Sequence, residues 1–257
     1  MGMPYQPNRS LRMKLARKLL PFQAQRPLKF HLERPIVSFT FDDFARSAIS
    51  NGARVLEQEN WRGTFYVSAG LKGVTNHHGE NFNTQDILTL QAQGHEIAGH
   101  TYSHVDCTTL NMDHVRDEIS KNHKALRAMG VTGTLDHFAF PYGAANPVLK
   151  KSLAKQFKSL RGIRPGVHHT QADLNGLKSA PLFSGAKLDY ALELIEGLKS
   201  RPAWLTLFAH DICDNPSEWG CTPNEFSRVV QQVKDTGADV LTIGKAITFL
   251  ENTHEQS

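Results

Sequence analysis

Short β-rich apolar runs alternate with segments of helical spacing along almost the whole chain. Ile36 to Phe41, Thr64 to Val67, Glu96 to Ala98, Phe138 to Phe140, Trp204 to Ala209 and Val240 to Thr242 read as strands. Helical spacing fills the intervals. It covers Arg46 to Glu59, then Thr84 to Gln93 with Thr84 as cap and Gly94 as stop. A further helix begins at Asp113 and ends at Gly130, and others run from Pro147 to about Phe157, Leu188 to Leu198, Glu225 to Val233 and Ala246 to Leu250. The stretch from Ser159 to Pro181 is expected to hold two short strands and a loop rich in Gly, His and Asn. A strand that leaves through a helix and returns beside itself pairs in parallel, so the pattern predicts an α/β fold. Roughly seven or eight such repeats predict closure into a barrel, with an open doubly wound sheet as the alternative.

The 257 residues suit one barrel domain, residues 31–257, behind an N-terminal extension, residues 1–30. Part of the basic excess sits there, in Arg9, Arg12, Lys14, Arg17 and Lys18. Leu11, Leu15, Leu19 and Leu20 interleave with these cations and Pro21 follows, which predicts a short basic amphipathic helix. It would pack on the outside of the barrel, with peripheral attachment to a membrane surface as the alternative. No signal peptide is expected, because no apolar stretch follows the basic residues. No apolar run reaches about eighteen residues, so no transmembrane helix is expected. The net charge of +4 includes no dense Lys/Arg run among aromatics, which argues against a nucleic-acid partner. Cys107, Cys213 and Cys221 are too few and too widely spaced for a disulfide framework. Reduced thiols and a cytoplasmic location are expected, with a Cys213–Cys221 bridge as the alternative.

Two motifs carry chemistry. Asp42 and Asp43 end the first apolar run, and His100 and His104 follow the third. One carboxylate and two imidazoles make a three-donor site for a divalent metal, with room left for water. The second carboxylate is then free to take a proton from that water. Adjacent aspartates can also simply cap the next helix, and histidines four apart can be turn residues. His210 ends the Trp204 strand, either as a satisfied core residue or as an acid for a leaving group across the pocket. With Pro141 and Tyr142, these residues fall at the carboxyl ends of strands, where barrel enzymes place their chemistry.

Four ordered motifs resemble those of the polysaccharide deacetylase family, carbohydrate esterase family four, over residues 35–215. They are Thr40-Phe41-Asp42-Asp43, His100-Thr101-Tyr102-Ser103-His104, Phe138-Ala139-Phe140-Pro141-Tyr142-Gly143 and Leu207-Phe208-Ala209-His210-Asp211. The resemblance implies a distorted (β/α)7 barrel and a hydrolase acting on an N-acetylated saccharide. Its substrate would be an amino-sugar-containing oligo- or polysaccharide or a glycan precursor, which loses its N-acetyl groups. The resemblance further implies Asp42 as general base, with Asp43, His100 and His104 as metal ligands, usually of Zn2+. Tyr142 would donate its backbone N–H to the oxyanion, and His210 would be the general acid.

Many relatives carry Arg two residues before the motif proline, where it orients the base; here that position is Ala139. Arg161 or Arg164, past the next strand, are the candidates to replace it. Asp173 is a candidate acid partner for His210. Trp219 would either stack on a sugar ring or pack. Two other functions compete. One is a same-fold hydrolase of cyclic amides, ureides or formamides, whose members usually lack the intact Asp–His–His set. The other is a sugar-binding module, which would be expected to lose Asp42 or a ligand.

Overall fold

The computed structural model describes residues 11–254. Its strands are β1 (Pro27–Lys29), β2 (Ile36–Asp42), β3 (Thr64–Val67), β4 (Thr75–Asn76), β5 (Gly79–Glu80), β6 (Glu96–Gly99), β7 (His137–Ala139), β8 (Ser159–Arg161), β9 (Gln171–Asp173), β10 (Ala180–Pro181), β11 (Trp204–Ala209) and β12 (Asp239–Val240). Its helices are α1 (Leu11–Leu19), α2 (Arg54–Gln58), α3 (Thr84–Ala92), α4 (Met112–Ala128), α5 (Pro147–Leu153), α6 (Ala186–Gly197), α7 (Pro223–Asp235) and α8 (Ile243–His254). A wide π-helical turn, Ala48–Ala53, leads into α2.

The strands β10-β11-β2-β3-β6-β7-β8 form one curled parallel sheet, the distorted (β/α)7 barrel. Every residue of β2 and β11 is buried, as strands covered on both faces require. Val37, Phe39 and Phe41 face the helix layer, where Phe39 and Phe41 meet Phe226 of α7. The alternate residues of β2, ending in Asp42, share the opposite, interior face. The Ser38 and Thr40 hydroxyls there are hydrogen-bonded. Trp204 Nε1 donates to Ser38 Oγ at 3.0 Å, and Thr40 Oγ1 donates to Leu207 O at 2.8 Å.

The barrel closes through a seam instead of a regular ladder. β12 takes the start of one β2 edge, at Ile36 and Val37, and β3 takes its end, at Thr40 to Asp42. Among the described residues β8 and β10 form no ladder. The segment before β10 bridges the gap: Leu177 N donates to Leu160 O at 2.9 Å, and Gly162 N donates to Leu177 O at 3.0 Å. Pro181 has no N–H to extend this pairing.

Several boundaries differ from expectation for local reasons. Asn83, not Thr84, caps α3, because Asn83 and Asp86 exchange hydrogen bonds as a capping box. Helix α4 starts one residue before Asp113, capped by Asn111. Helix α5 stops at Leu153, and Phe157 continues it only as a turn onto Leu153 O. Residues 159–181 hold three strands instead of two, since β9 pairs antiparallel with β1. The last strand ends at Val240 because Thr242 turns to accept from Lys245 N at the start of α8.

Residues 20–30 are stitched to the barrel. Lys150 Nζ donates to Gln23 O at 2.8 Å and pairs with Asp173 at 2.9 Å, and the Arg26 guanidinium donates to Phe157 O and Lys158 O. Leu15 and Leu19 on α1 are exposed, as is Phe22 beyond it. Arg9 lies outside the described residues. Among the described residues no helix is long and apolar enough to cross a membrane. The three cysteines are unpaired; Cys213 N donates to Cys221 O at 3.2 Å, so a backbone bond joins the two positions where a disulfide was the alternative.

Candidate active site

Asp42 closes β2 opposite Tyr66 of β3. Arg161, the last residue of β8, is fully buried, and its guanidinium donates to Asp42 Oδ2. The guanidinium lies 4.9 Å from the Tyr66 ring centroid and 5.2 Å from that of Phe208. The register of β7 on β8 pairs Ala139 with Arg161. Arg164 is exposed in the following loop. Of the two candidate arginines, Arg161 therefore reaches the carboxylate. Asp42 Oδ1 is buried and has no hydrogen-bond partner, so one oxygen is anchored and the other open.

Asp43 diverges from Asp42 because its backbone turns left-handed, with φ 28°. Its Oδ1 lies 3.7 Å from His100 Nε2 and 3.6 Å from both His104 Nε2 and His210 Nε2. Its Oδ2 lies 3.8 Å from His78 Nε2. These separations are too long for hydrogen bonds. A tetrahedral zinc with bonds of about 2.1 Å sets its donors about 3.4 Å apart, so the spacing suits an ion.

The protons argue the same way. His100 Nδ1 donates to Ala139 O at 2.8 Å, and His210 Nδ1 donates to Trp219 O at 3.0 Å. A carbonyl only accepts, so in each neutral ring Nε2 is a lone pair turned to Asp43. Burial pushes His100 down to about 4 and lowers His210 as well. Burial also opposes charge on Asp43. Positive charge on the surrounding His104, His210, His100 and His78 outweighs it and holds the carboxyl below the usual carboxylate range; with the rings neutral, that charge has to come from a cation. A buried carboxylate facing imidazole lone pairs is a cage that a cation completes. Asp43 Oδ1 has no hydrogen-bond partner of its own.

The segment from His100 to His104 is a tight loop, with left-handed Thr101 (φ 60°) and His104 (φ 51°). Glu118 on α4 holds it, accepting from Tyr102 N at 3.1 Å and Ser103 N at 2.8 Å. Gly70 N donates to Tyr102 O at 2.9 Å. A Cβ at Gly70 would lie 2.6 Å from that oxygen, so only glycine permits the approach. Tyr142 is also left-handed, φ 58°, within the turn Pro141–Gly143. Its ring centroid lies 4.5 Å from that of His104. Uncommon backbone conformations thus gather round Asp43.

Sequence reasoning does not single out His78 or Glu118. His78 sits in the turn between β4 and β5, which an Ala45–Asn81 bridge pins beside Asp43. Its only local trace is the His77-His78 pair. Asp173 does not partner His210: it is committed to Lys150 and to Arg26 N, and a backbone carbonyl takes the His210 proton instead. The Trp219 ring packs on His77 and His78, with centroids 4.8 and 5.7 Å away. Two surface cavities, of about 230 and 570 Å3, lie elsewhere, beside Tyr102 and Met129 and between Glu96 and α8. Donor chemistry, not cavity size, identifies the site.

The sequence matches the family model described as polysaccharide deacetylase over residues 31–158. It is 28% identical over 126 residues to a bifunctional xylanase/deacetylase of Pseudobutyrivibrio xylanivorans, covering 48% of this chain and 19% of that protein. The chain thus spans only 19% and 21% of the length of the curated relatives it matches. A solved peptidoglycan N-acetylglucosamine deacetylase shares the fold with a TM-score of 0.60 at 18% identity, covering 89% of this chain and 94% of that one. A family 4 carbohydrate esterase of Streptomyces lividans, solved with acetate, has a TM-score of 0.57 at 21% identity, covering 81% and 91%.

Proposed function

The chain belongs to the polysaccharide deacetylase family, and from that premise we propose that it is a metal-dependent hydrolase removing N-acetyl groups from an amino-sugar-containing oligo- or polysaccharide or glycan precursor. The observation that carries this reading is the pairing of unlike carboxylates. Asp42 keeps one anchored and one open oxygen, while Asp43 beside it is ringed by imidazole nitrogens. The relatives named for deacetylation of xylan and of peptidoglycan N-acetylglucosamine support an acetylated saccharide as the substrate class.

Asp43, His100 and His104 would hold the metal, most suitably Zn2+, which when bound acidifies water and polarises the acetamide carbonyl. Asp42 takes the proton of the attacking water on its open Oδ1 while Arg161 fixes Oδ2. The Tyr142 backbone N–H donates to the carbonyl oxygen as charge develops there, and a donor of this kind commonly contributes about 10²–10³-fold. His210, held through Nδ1 by Trp219 O, has to take up a proton on its Nε2 lone pair before it can pass that proton to the departing nitrogen. The hydroxyl joins the acyl carbon, the C–N bond breaks, and acetate and the free amine leave.

The test is a product screen on N-acetylated chito-oligosaccharides, peptidoglycan fragments, acetylated xylan and cyclic amides, measuring acetate and amine together. Acetate with an equal amount of free amine is the expected result. Acetate from xylan alone, or ring opening of a cyclic amide, would overturn the N-acetyl assignment.

A further inference from the structure

We propose that Asp43, His78 and His210 form a second binding position for a divalent cation of the zinc type, sharing Asp43 with the first. The inference rests on reading Asp43, His100 and His104 as the first position. One ligand atom from each of Asp43, His78 and His210 lies within 4.8 Å of the other two, as in the set Asp43, His100 and His104. The donors come from the end of β2, the β4–β5 turn and the end of β11, so the fold converges three separate elements on one point.

His78 is built as a ligand is built. It is 6% exposed, and its Nε2 faces Asp43 Oδ2 at 3.8 Å, beyond hydrogen-bond reach. Its Nδ1 lies 3.1 Å from Asp211 Oδ1 and 3.1 Å from Ser217 Oγ. A carboxylate on Nδ1 makes that nitrogen the donor and leaves Nε2 as the lone pair. Asp211 is itself fixed, because Ser217 N donates to its Oδ2 and Ser217 Oγ to its Oδ1, each at 2.7 Å. The loop closes this tightly only over glycine, since a Cβ at Gly220 would lie 2.6 Å from Asp211 Oδ1. A carboxylate behind an imidazole is the support that metal-ligating histidines carry.

The His78 and His210 rings stack in parallel, 4° apart with centroids at 4.8 Å, so a shared ion requires one ring to tilt until the two in-plane Nε2 lone pairs converge. The shared aspartate is suited to bridging. It is 5% exposed, with Oδ1 facing His100, His104 and His210 and Oδ2 facing His78, and Oδ1 has no hydrogen-bond partner. Two neutral imidazoles and one carboxylate form a donor set that suits zinc. Filling this position occupies His210 Nε2, the atom from which the departing nitrogen takes its proton. A second cation and the working enzyme therefore exclude one another, and excess zinc inhibits.

The experiment titrates the chelator-stripped full chain with ZnCl2 by equilibrium dialysis, in wild type, His78→Ala, His78→Gln, Asp211→Asn and His104→Ala, with folding followed by circular dichroism. Wild type should take up two equivalents, and either His78 variant one. Asp211→Asn should weaken one of the two by about 10–100-fold. His104→Ala should lose the first equivalent and keep the second. One equivalent in wild type, unmoved in both His78 variants, overturns the second position and leaves the first intact. One equivalent lost from His78→Ala and from His104→Ala alike means a single joint site and also overturns the proposal. One equivalent lost from His78→Ala but kept in His104→Ala overturns the first position instead. No uptake in wild type overturns both.

Discussion

Arg161 and Ala139 are register partners on β8 and β7, and the guanidinium that anchors Asp42 comes from the former. The cation stands on β8, one strand on from Ala139, and the methyl side chain of Ala139 leaves the interior face open for it. This predicts that Arg161→Ala abolishes most activity while Arg164→Ala, in the exposed loop, leaves it near wild type. Removing one partner of a buried ion pair also costs about 3–5 kcal/mol of stability. Placing the arginine on β7 instead, in the double variant Arg161→Ala with Ala139→Arg, should restore part of both. Turnover and urea melts of the four proteins decide it. An active Arg161→Ala enzyme would show that Asp42 is held by something else.

Asp42→Asn preserves shape and the hydrogen bond from Arg161 but removes the basic oxygen. Metal content should stay at the wild-type value and the fold should persist, the melting temperature should drop because buried Arg161 loses its counter-charge, and kcat should fall by about 10²–10⁴-fold. Near-normal turnover would move the base elsewhere.

Glu118 and Gly70 hold the loop that carries His100 and His104. Glu118→Ala should weaken zinc binding by about 10–100-fold although it touches no ligand atom. Gly70→Ala should do the same, because its Cβ would press on Tyr102 O. Zinc affinity by competition with a chromogenic chelator reads the effect, and unchanged affinity in both would show that the loop sets its own shape.

What could be read from the chain follows from where the information lies. The strands β3 and β11 are legible to the residue, because branched and aromatic residues run uninterrupted through Thr64–Val67 and Trp204–Ala209. The strand Gln171–Asp173 is not legible, since a short polar segment becomes a strand only by meeting β1 more than a hundred residues away. The seam at Leu177 is hidden for the same reason. Asp43, His100 and His104 stand in short motifs after strong strands, so their meeting is readable. His78 and Glu118 reach the site only through tertiary packing, and the adjacent His77 is the one local sign of either. Asp173 misleads in the other direction: it is a carboxylate at a strand end, but the N-terminal segment and Lys150 have already claimed it.

His168 gives a pH-dependent stability. It is 3% exposed, accepts from Lys178 N on Nε2 at 3.1 Å, and is pushed down to about 3, chiefly by burial and then by Lys178. The folded ring refuses a proton that the unfolded chain takes near its ordinary value of 6.5. Its stabilising contribution is therefore whole above that value and lost as pH falls towards 3, reaching about 2 kcal/mol by about pH 5. His168→Gln keeps an acceptor and cannot titrate. Its loss of stability between about pH 7.5 and pH 5, from urea melts, should be smaller than that of wild type by this amount. An equal loss would assign the acid sensitivity to other groups.

The central claim is that a cation held by Asp43, His100 and His104 makes this chain a deacetylase. Its most direct test is acetate release from an N-acetylated chito-oligosaccharide by the chelator-stripped protein, before and after one equivalent of Zn2+, in wild type and His104→Ala. The account predicts no release from either stripped protein, recovery in wild type and none in the variant. Full release from the stripped wild type, or recovery in His104→Ala equal to wild type, would contradict it.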